Sequence, residues 1–221
     1  AAYASGGRFV ADPGKGGAVF FKEPGYQPAI KLARTGVYDL EVLAVVGHTV
    51  YFRSGAAPDE AWSLYRWQVD KKSVTKIDKI ASPVAMSGSG ALTAGLAVFT
   101  DSGMCTAVSA SNSAGQRWRT CQYQLSRFSP GDVFAIGIPP GSSPYGDPLT
   151  VALDARNGNL RREWAGPSLR GAIAEDDDHV LLQWHDKPEP QSRSALIRCS
   201  VSTGGCELTT PLETGPLVLG S

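Results

Sequence analysis

Leu64-Tyr65-Arg66-Trp67-Gln68-Val69-Asp70 turns through Lys71-Lys72-Ser73 into Val74-Thr75-Lys76-Ile77. Far downstream, Leu196-Ile197-Arg198-Cys199-Ser200-Val201-Ser202 turns through Thr203-Gly204-Gly205 into Cys206-Glu207-Leu208-Thr209. The two stretches align residue for residue and differ only in the central turn. Each consists of two short runs of apolar, β-branched and aromatic residues around a tight turn, the pattern of an antiparallel hairpin.

Each hairpin is preceded by another short apolar strand. It opens on a turn at Gly47-His48-Thr49-Val50-Tyr51-Phe52 and at Asp178-His179-Val180-Leu181-Leu182. The same arrangement recurs at Gly95-Leu96-Ala97-Val98-Phe99 and at Gly131-Asp132-Val133-Phe134-Ala135. Taking Val69, Val108, Leu153 and Val201 as equivalent gives spacings of 39, 45 and 48 residues. No stretch of a dozen residues keeps the i, i+3, i+4, i+7 apolar spacing of a helix without a Gly or Pro break. A period near 40–50 residues with four strands in each copy predicts an all-β β-propeller of four-stranded antiparallel blades. The blades fall at 36–80, 81–124, 125–167 and 168–214. Residues 1–35, with Arg8-Phe9-Val10 and Ala18-Val19-Phe20-Phe21, combine with 215–221, which carries Leu217-Val218-Leu219. Together they would make a composite fifth blade closing a single domain over 1–221 and leaving no exposed sheet edge. The alternative is a piece of a larger six- to eight-bladed propeller.

Ala152 to Leu160 with Trp164 resembles the strand-turn-strand signature of the pyrroloquinoline-quinone-type propeller repeat. The hairpin from Cys199 to Cys206 resembles those of secreted bacterial WD40-like, TolB-like propellers. The resemblance touches four copies, roughly residues 36–215, and implies a fold more than a function, because such propellers serve as scaffolds, sensors, binders and enzymes. The quinone dehydrogenases of that group carry adjacent cysteines and a calcium-binding acidic set. This sequence has neither, so no cofactor is expected.

Cys199 and Cys206 are symmetric about one hairpin, and Cys105 and Cys121 about the corresponding one in another repeat. Antiparallel neighbours come within about 4.5 Å, which a disulfide spans. Two disulfides are therefore expected, placing the chain in an oxidising compartment: secreted, or on the extracytoplasmic face of a cell envelope. The alternative is four buried, reduced cysteines in a cytosolic protein. Neither pair has the Cys-x2-Cys spacing of a zinc site, and His48, His179 and His185 stand in no motif relation to the cysteines.

Other candidates come with plainer explanations. Glu175-Asp176-Asp177-Asp178 with His179 offers oxygen ligands for a divalent cation, but lacks the alternating ligands and central Gly of a calcium loop. It lies in a turn, where Asp is favoured for its local hydrogen bonds, and no metal is expected. Asp39 and Glu41 flank Leu40 and by alternation share a face. They are the alternative catalytic carboxylates of a propeller glycoside hydrolase or lyase, with strand lining as the plainer role. Trp67, Trp118 and Trp164 sit at repeat-equivalent or near-equivalent strand positions and are expected between blades. Trp62 and Trp184, with His185 and Tyr145, lie beside loops 53–61, 139–147 and 185–194, where a rigid scaffold displays its ligand contacts.

The 221 residues carry 21 Lys and Arg against 21 Asp and Glu. Neutrality, with no basic run longer than Lys71-Lys72 or Arg161-Arg162, argues against nucleic acid. No apolar stretch approaches the roughly 20 residues of a membrane span. No residual signal peptide is read at Ala1-Ala2-Tyr3, a start that a processed or trimmed chain would show. No nucleophile elbow, P-loop, dinucleotide fingerprint or His-Glu-x-x-His is present, and Ser87-Gly88-Ser89-Gly90 reads as a flexible turn. The expectation is a non-catalytic extracytoplasmic propeller, free or part of an anchored protein, that binds a protein or a cell-envelope glycan through its loop face. The enzyme acting on polysaccharide is the alternative. A self-assembling structural subunit is the third reading, since a neutral Gly-rich surface offers little charge repulsion.

Overall fold

The computed structural model describes residues 3–6, 17–22, 29–34, 38–55, 61–78, 80, 82–100, 103–112, 115–141, 147–186 and 193–214. Every helix or strand among them is a strand. β1 (Tyr3–Gly6), β2 (Gly17–Lys22) and β3 (Ile30–Arg34) form a three-stranded sheet in that order. β4 (Tyr38–Val46), β5 (Thr49–Gly55), β6 (Ser63–Gln68) and β7 (Ser73–Ile77) form an antiparallel meander. β8 (Pro83–Met86), β9 (Leu92–Thr100), β10 (Gly103–Ala110) and β11 (Gln116–Thr120) form another four-stranded sheet.

A longer sheet follows the chain through β12 (Gln124–Phe128), β13 (Phe134–Ile138), β14 (Asp147–Asp154), β15 (Leu160–Ala174), β16 (His179–His185), β17 (Arg193–Ser200) and β18 (Cys206–Leu208). β19 (Glu213–Thr214) pairs with β17. The 15 residues of β15 serve two partners. It pairs with β14 from Leu160 to Ala165 and again at Leu169, and with β16 from Leu169 to Ala174, so Leu169 meets both partners. Pro167, without an amide hydrogen to give a ladder, lies between Ala165 and Leu169, where the pairing with β14 shifts register.

Two compact units can be distinguished, residues 1–97 with 108–116, and 98–107 with 117–221. In the first, the sheet β4–β7 is buried on both faces, which explains why its strands do not alternate cleanly between apolar and polar. On one face Val50, Phe52 and Trp67 pack with Val19 and Phe21 of β2 and Leu40 of β4. The Trp67 and Phe21 rings meet edge to face at 6.5 Å. On the other face Leu64 packs with Ile80 and Met86, and Tyr51 lies against them. In the second unit Phe134, Ile136, Ala152, Trp164, Leu169, Val180, Leu182, Cys199 and Val201 form one core.

Four equivalent backbone hydrogen bonds define the repeat. The residue that closes the third strand donates to the turn between the first two strands: Val69 to His48 O (2.9 Å), Ser111 to Ala91 O (2.9 Å), Ala155 to Val133 O (3.2 Å) and Val201 to Asp178 O (2.6 Å). The equivalent positions are thus 69, 111, 155 and 201, correcting the assignment of Val108 and Leu153. Hydrophobic identity drew the sequence alignment to the apolar residues, whereas the backbone register falls on Ser111 and Ala155. The two opening hairpins do superpose in register, since Trp67 faces Val74 where Cys199 faces Cys206. Lys72 and Gly204, at the same step of the two turns, both have positive φ, 50° and 80°.

Neighbouring repeats in the second unit are tied by side chains. Trp118 Nε1 on β11 donates to Ala155 O at 2.9 Å. Arg162 Nε on β15 donates to the equivalent Val201 O at 3.0 Å, and its Nη2 to Ser202 O at 2.8 Å. In each case the donor lies over a left-handed glycine, Gly158 (φ 76°) or Gly204 (φ 80°). The closing strands expected at Arg8-Phe9-Val10 and Leu217-Val218-Leu219 lie outside the described residues.

Candidate functional site

Two residues that the sequence placed in rival hypotheses meet at one arginine. Arg53 on β5 opposes Glu41 on β4 across the ladder, and its Nη2 donates to Glu41 Oε2 at 2.5 Å. Nη1 donates to the Pro83 carbonyl at 2.9 Å. Trp62 covers the guanidinium, whose carbon lies 3.6 Å from the ring centroid. The backbone fixes Trp62 in turn, its carbonyl accepting Ser82 N at 3.1 Å. Arg53 is only 9% exposed, while the side chains of Glu41 and Trp62 reach solvent, Glu41 about half-exposed. A buried cation requires a counter-charge and hydrogen-bond acceptors, and its planar guanidinium also stacks on an aromatic face. Sequence reading passed over Arg53, although an arginine inside the apolar run Val50-Tyr51-Phe52-Arg53-Ser54 signals such a set of partners.

Asp39 belongs to β4, but its side chain lies outside the described residues. The β4–β5 register shifts between Tyr38 and Glu41. A bulge there breaks strict alternation, so the argument that put Asp39 and Glu41 on one face does not carry through this segment. Tyr145 lies outside the described residues.

Trp184 and His185, expected to be free beside a loop, are instead the last residues of β16. Trp184 faces Leu169 and Ala195 and packs against the core of the second unit. His185 is 2% exposed. The strand runs further into the 185–194 loop than composition suggested, because Asp186 N bonds Arg193 O and the Asp186 carboxylate pairs with the Arg193 side chain.

The acidic run is distributed among structural partners. Asp176 Oδ1 accepts the backbone N–H of Asp178 and of His179, both at 2.7 Å, and its carboxylate contacts His179 Nδ1. The Asp178 amide, with lesser help from His179, holds the Asp176 carboxyl below the ordinary carboxylate range despite some desolvation. Asp177 Oδ1 accepts Gly131 N at 2.7 Å, pinning the turn before β13. Asp178 accepts the Ser200 and Ser202 hydroxyls and the Ser202 amide, and those hydroxyls lower its pKa. Glu175 pairs with Arg198 Nε at 2.5 Å, which raises the guanidinium's pKa. Glu175, Asp176 and His179 do offer ligand atoms within 4.8 Å of one another. Yet Asp176 is committed to its own turn, the role that Asp takes in turns generally. Beside it, His179, Arg198, Ser200, Gly205, Cys206 and Glu207 line an open cleft of about 240 Å³.

Both expected disulfides are present, Cys105–Cys121 with Cα atoms 4.0 Å apart and Cys199–Cys206 with 4.1 Å. Trp67, Trp118 and Trp164 are buried, Trp67 on the third strand of its repeat and Trp118 and Trp164 on fourth strands.

These sheets recur in solved structures. TolB from Acinetobacter baumannii superposes over 95% of this chain and 53% of its own length, with 15% identity and a TM-score of 0.61. The β-propeller domain of the trilobed protease from Pyrococcus furiosus matches 80% of this chain and 58% of its own, with 13% identity and a TM-score of 0.57. The fold is a β-propeller. A protein from Lactobacillus plantarum shares it over 99% of this chain and 69% of its own, with 12% identity and a TM-score of 0.58. This propeller chain spans little more than half the length of TolB and of the trilobed-protease domain. No protein-family model and no curated protein matches the sequence.

Proposed function

We propose that this propeller is a non-catalytic binding module working outside the cytoplasm, presenting loops 53–61, 139–147 and 185–194 to a protein or cell-envelope glycan. The observation that carries the reading is the Trp62 ring held against Arg53 at the end of the 53–61 loop. Trp and Arg dominate binding hot spots, and a ring immobilised before the ligand arrives loses little entropy on binding. The two disulfides support an oxidising compartment. Alkylation of intact cells before lysis should find all four cysteines blocked. Free thiols at all four would overturn the location.

The alternative, a polysaccharide hydrolase or lyase using Asp39 and Glu41, is disfavoured because Glu41 is committed to Arg53. Capture of proteins and glycans from cell-envelope extracts by the immobilised chain tests the reading. Trp62→Ala should weaken capture about tenfold or more, with a stability loss below about 2 kcal/mol from the lost stacking. Unchanged capture would remove Trp62 from the site. Glycan turnover abolished by Asp39→Asn or Glu41→Gln would establish the enzyme instead.

A further inference from the structure

Arg119, on β11, reaches across a disulfide. Its Nη2 lies 3.6 Å from Cys105 Sγ and 3.5 Å from Cys121 Sγ. The two cysteines differ in exposure: Cys105 is 1% exposed, whereas Cys121 and Arg119 are exposed residues. Among the described residues, no guanidinium comes within hydrogen-bond reach of the Cys199–Cys206 sulfurs. Arg198 shares a cleft with Cys206, but its guanidinium pairs with Glu175, Asp176 and Glu207 rather than with a sulfur. The two disulfides, alike in their cross-strand placement, differ in whether a guanidinium is directed at the sulfurs.

A guanidinium beside a sulfur stabilises negative charge on it, and thiol–disulfide exchange brings negative charge in on the attacking sulfur and builds it on the departing one. Attack is expected at Cys121, the exposed residue of the pair. The buried one would leave as a thiolate beside a fixed cation, and a better-stabilised thiolate leaves faster. We propose that Cys121 is a thiol-exchange site that accepts a small anionic thiol, with Arg119 steering the incoming thiolate and stabilising Cys105 as the leaving group.

The step is balanced as follows. A lone pair of the incoming thiolate forms a bond to Cys121 Sγ. The Cys105–Cys121 bond breaks, and its electron pair goes to Cys105 Sγ, leaving a mixed disulfide on Cys121. Attack by the Cys105 thiolate on that mixed disulfide reverses the step. A second small thiol instead completes reduction, releasing the small-molecule disulfide and two cysteines. Opening the bond frees the end of β11, the strand whose Trp118 holds Ala155 O of the next repeat.

The test treats the full chain with 2-mercaptoethanesulfonate or the cationic thiol cysteamine, quenches with acid and N-ethylmaleimide, and maps adducts by mass spectrometry. The adduct should appear on Cys121, and Cys105–Cys121 should open roughly five- to tenfold faster than Cys199–Cys206. At equal thiolate concentration the anionic thiol should be the faster of the two at this bond. Arg119→Gln should bring the two disulfides to within about twofold of each other, while Arg119→Lys keeps most of the difference. First adduct on Cys105, faster opening of Cys199–Cys206, preference for cysteamine, or an unchanged rate in Arg119→Gln would each overturn the proposal. Adduct mapping on the native chain does not depend on any variant folding.

Discussion

Replacing Gly158 with alanine tests how the repeats of the second unit are joined. Gly158 has a φ of 76°, a region in which a side chain costs about 1–2 kcal/mol. A Cβ built there would lie 2.6 Å from Trp118 Cε3 and 2.8 Å from Cδ2. Trp118 cannot easily withdraw, since its ring is 8% exposed and its Nε1 is bonded to Ala155 O. Overpacking of this kind costs about 1–3 kcal/mol. Lower entropy in the unfolded chain returns about 0.4–1 kcal/mol. The net expectation is a loss of about 2–4 kcal/mol. Gly47→Ala is the control, because Gly47 has a φ of 56° but nothing within 4 Å of its would-be Cβ. It should cost about 1 kcal/mol, the backbone contribution alone. Urea denaturation followed by tryptophan fluorescence measures both. Trp118→Leu combined with Gly158→Ala should cost less than the sum of the two single changes, because the smaller side chain makes room. If Gly158→Ala falls within about 0.5 kcal/mol of Gly47→Ala, the ring is not a fixed wall and the account of the tether is wrong.

Replacing both Cys199 and Cys206 with serine, which opens a loop of sequence separation 7, should cost about 2.5 kcal/mol, and opening the separation of 16 at Cys105–Cys121 about 3 kcal/mol; equal denaturation midpoints for the native and serine chains would contradict this. Trp184→Ala should cost about 2 kcal/mol, less than a fully buried tryptophan but well above a loop residue, because it packs on the second core; an unchanged melting temperature would return Trp184 to the loop face. Acidification provides another test. Asp176 and Asp178 have pKa values lowered from 3.8 in the folded state, so the unfolded chain takes up protons first as pH falls. Their contribution is complete well above about pH 4 and is lost as pH drops through the folded pKa values. Asp178→Asn should flatten the acid limb of a stability–pH curve, and an unaltered limb would show that these hydrogen bonds do not contribute.

The hairpin at 196–209 was legible because its determinants are neighbours in sequence. Period-two apolar residues, a Gly-rich turn and cysteines symmetric about it all lie within one hairpin, so the disulfide register follows from counting. Burial of Trp67, Trp118 and Trp164 was anticipated, but Trp67 lies on the third strand of its repeat and Trp118 and Trp164 on fourth strands, so one repeated environment does not account for all three. The repeat register itself was misread at Val108 and Leu153. Side-chain hydrophobicity tolerates a shift that the backbone hydrogen bonds to Ala91 O and Val133 O do not. His185 was placed beside the 185–194 loop, but the return strand at Arg193 extends the ladder to include it.

By itself, the sequence determined the all-β class, the four-stranded repeat, the two disulfide pairs and the balance of charge. These depend on local periodicity, turn chemistry and total charge, which need no knowledge of what lies opposite. Only the tertiary structure decided that Arg53 joins Glu41 to Trp62, that Asp176, Asp177 and Asp178 bind three different turns, and that Arg119 rests on one disulfide. Each of these contacts is set by sheet packing and strand register across intervals that the chain crosses and returns over. A carboxylate, guanidinium or sulfur acquires its chemistry from the group brought beside it, and that neighbour is chosen by the fold.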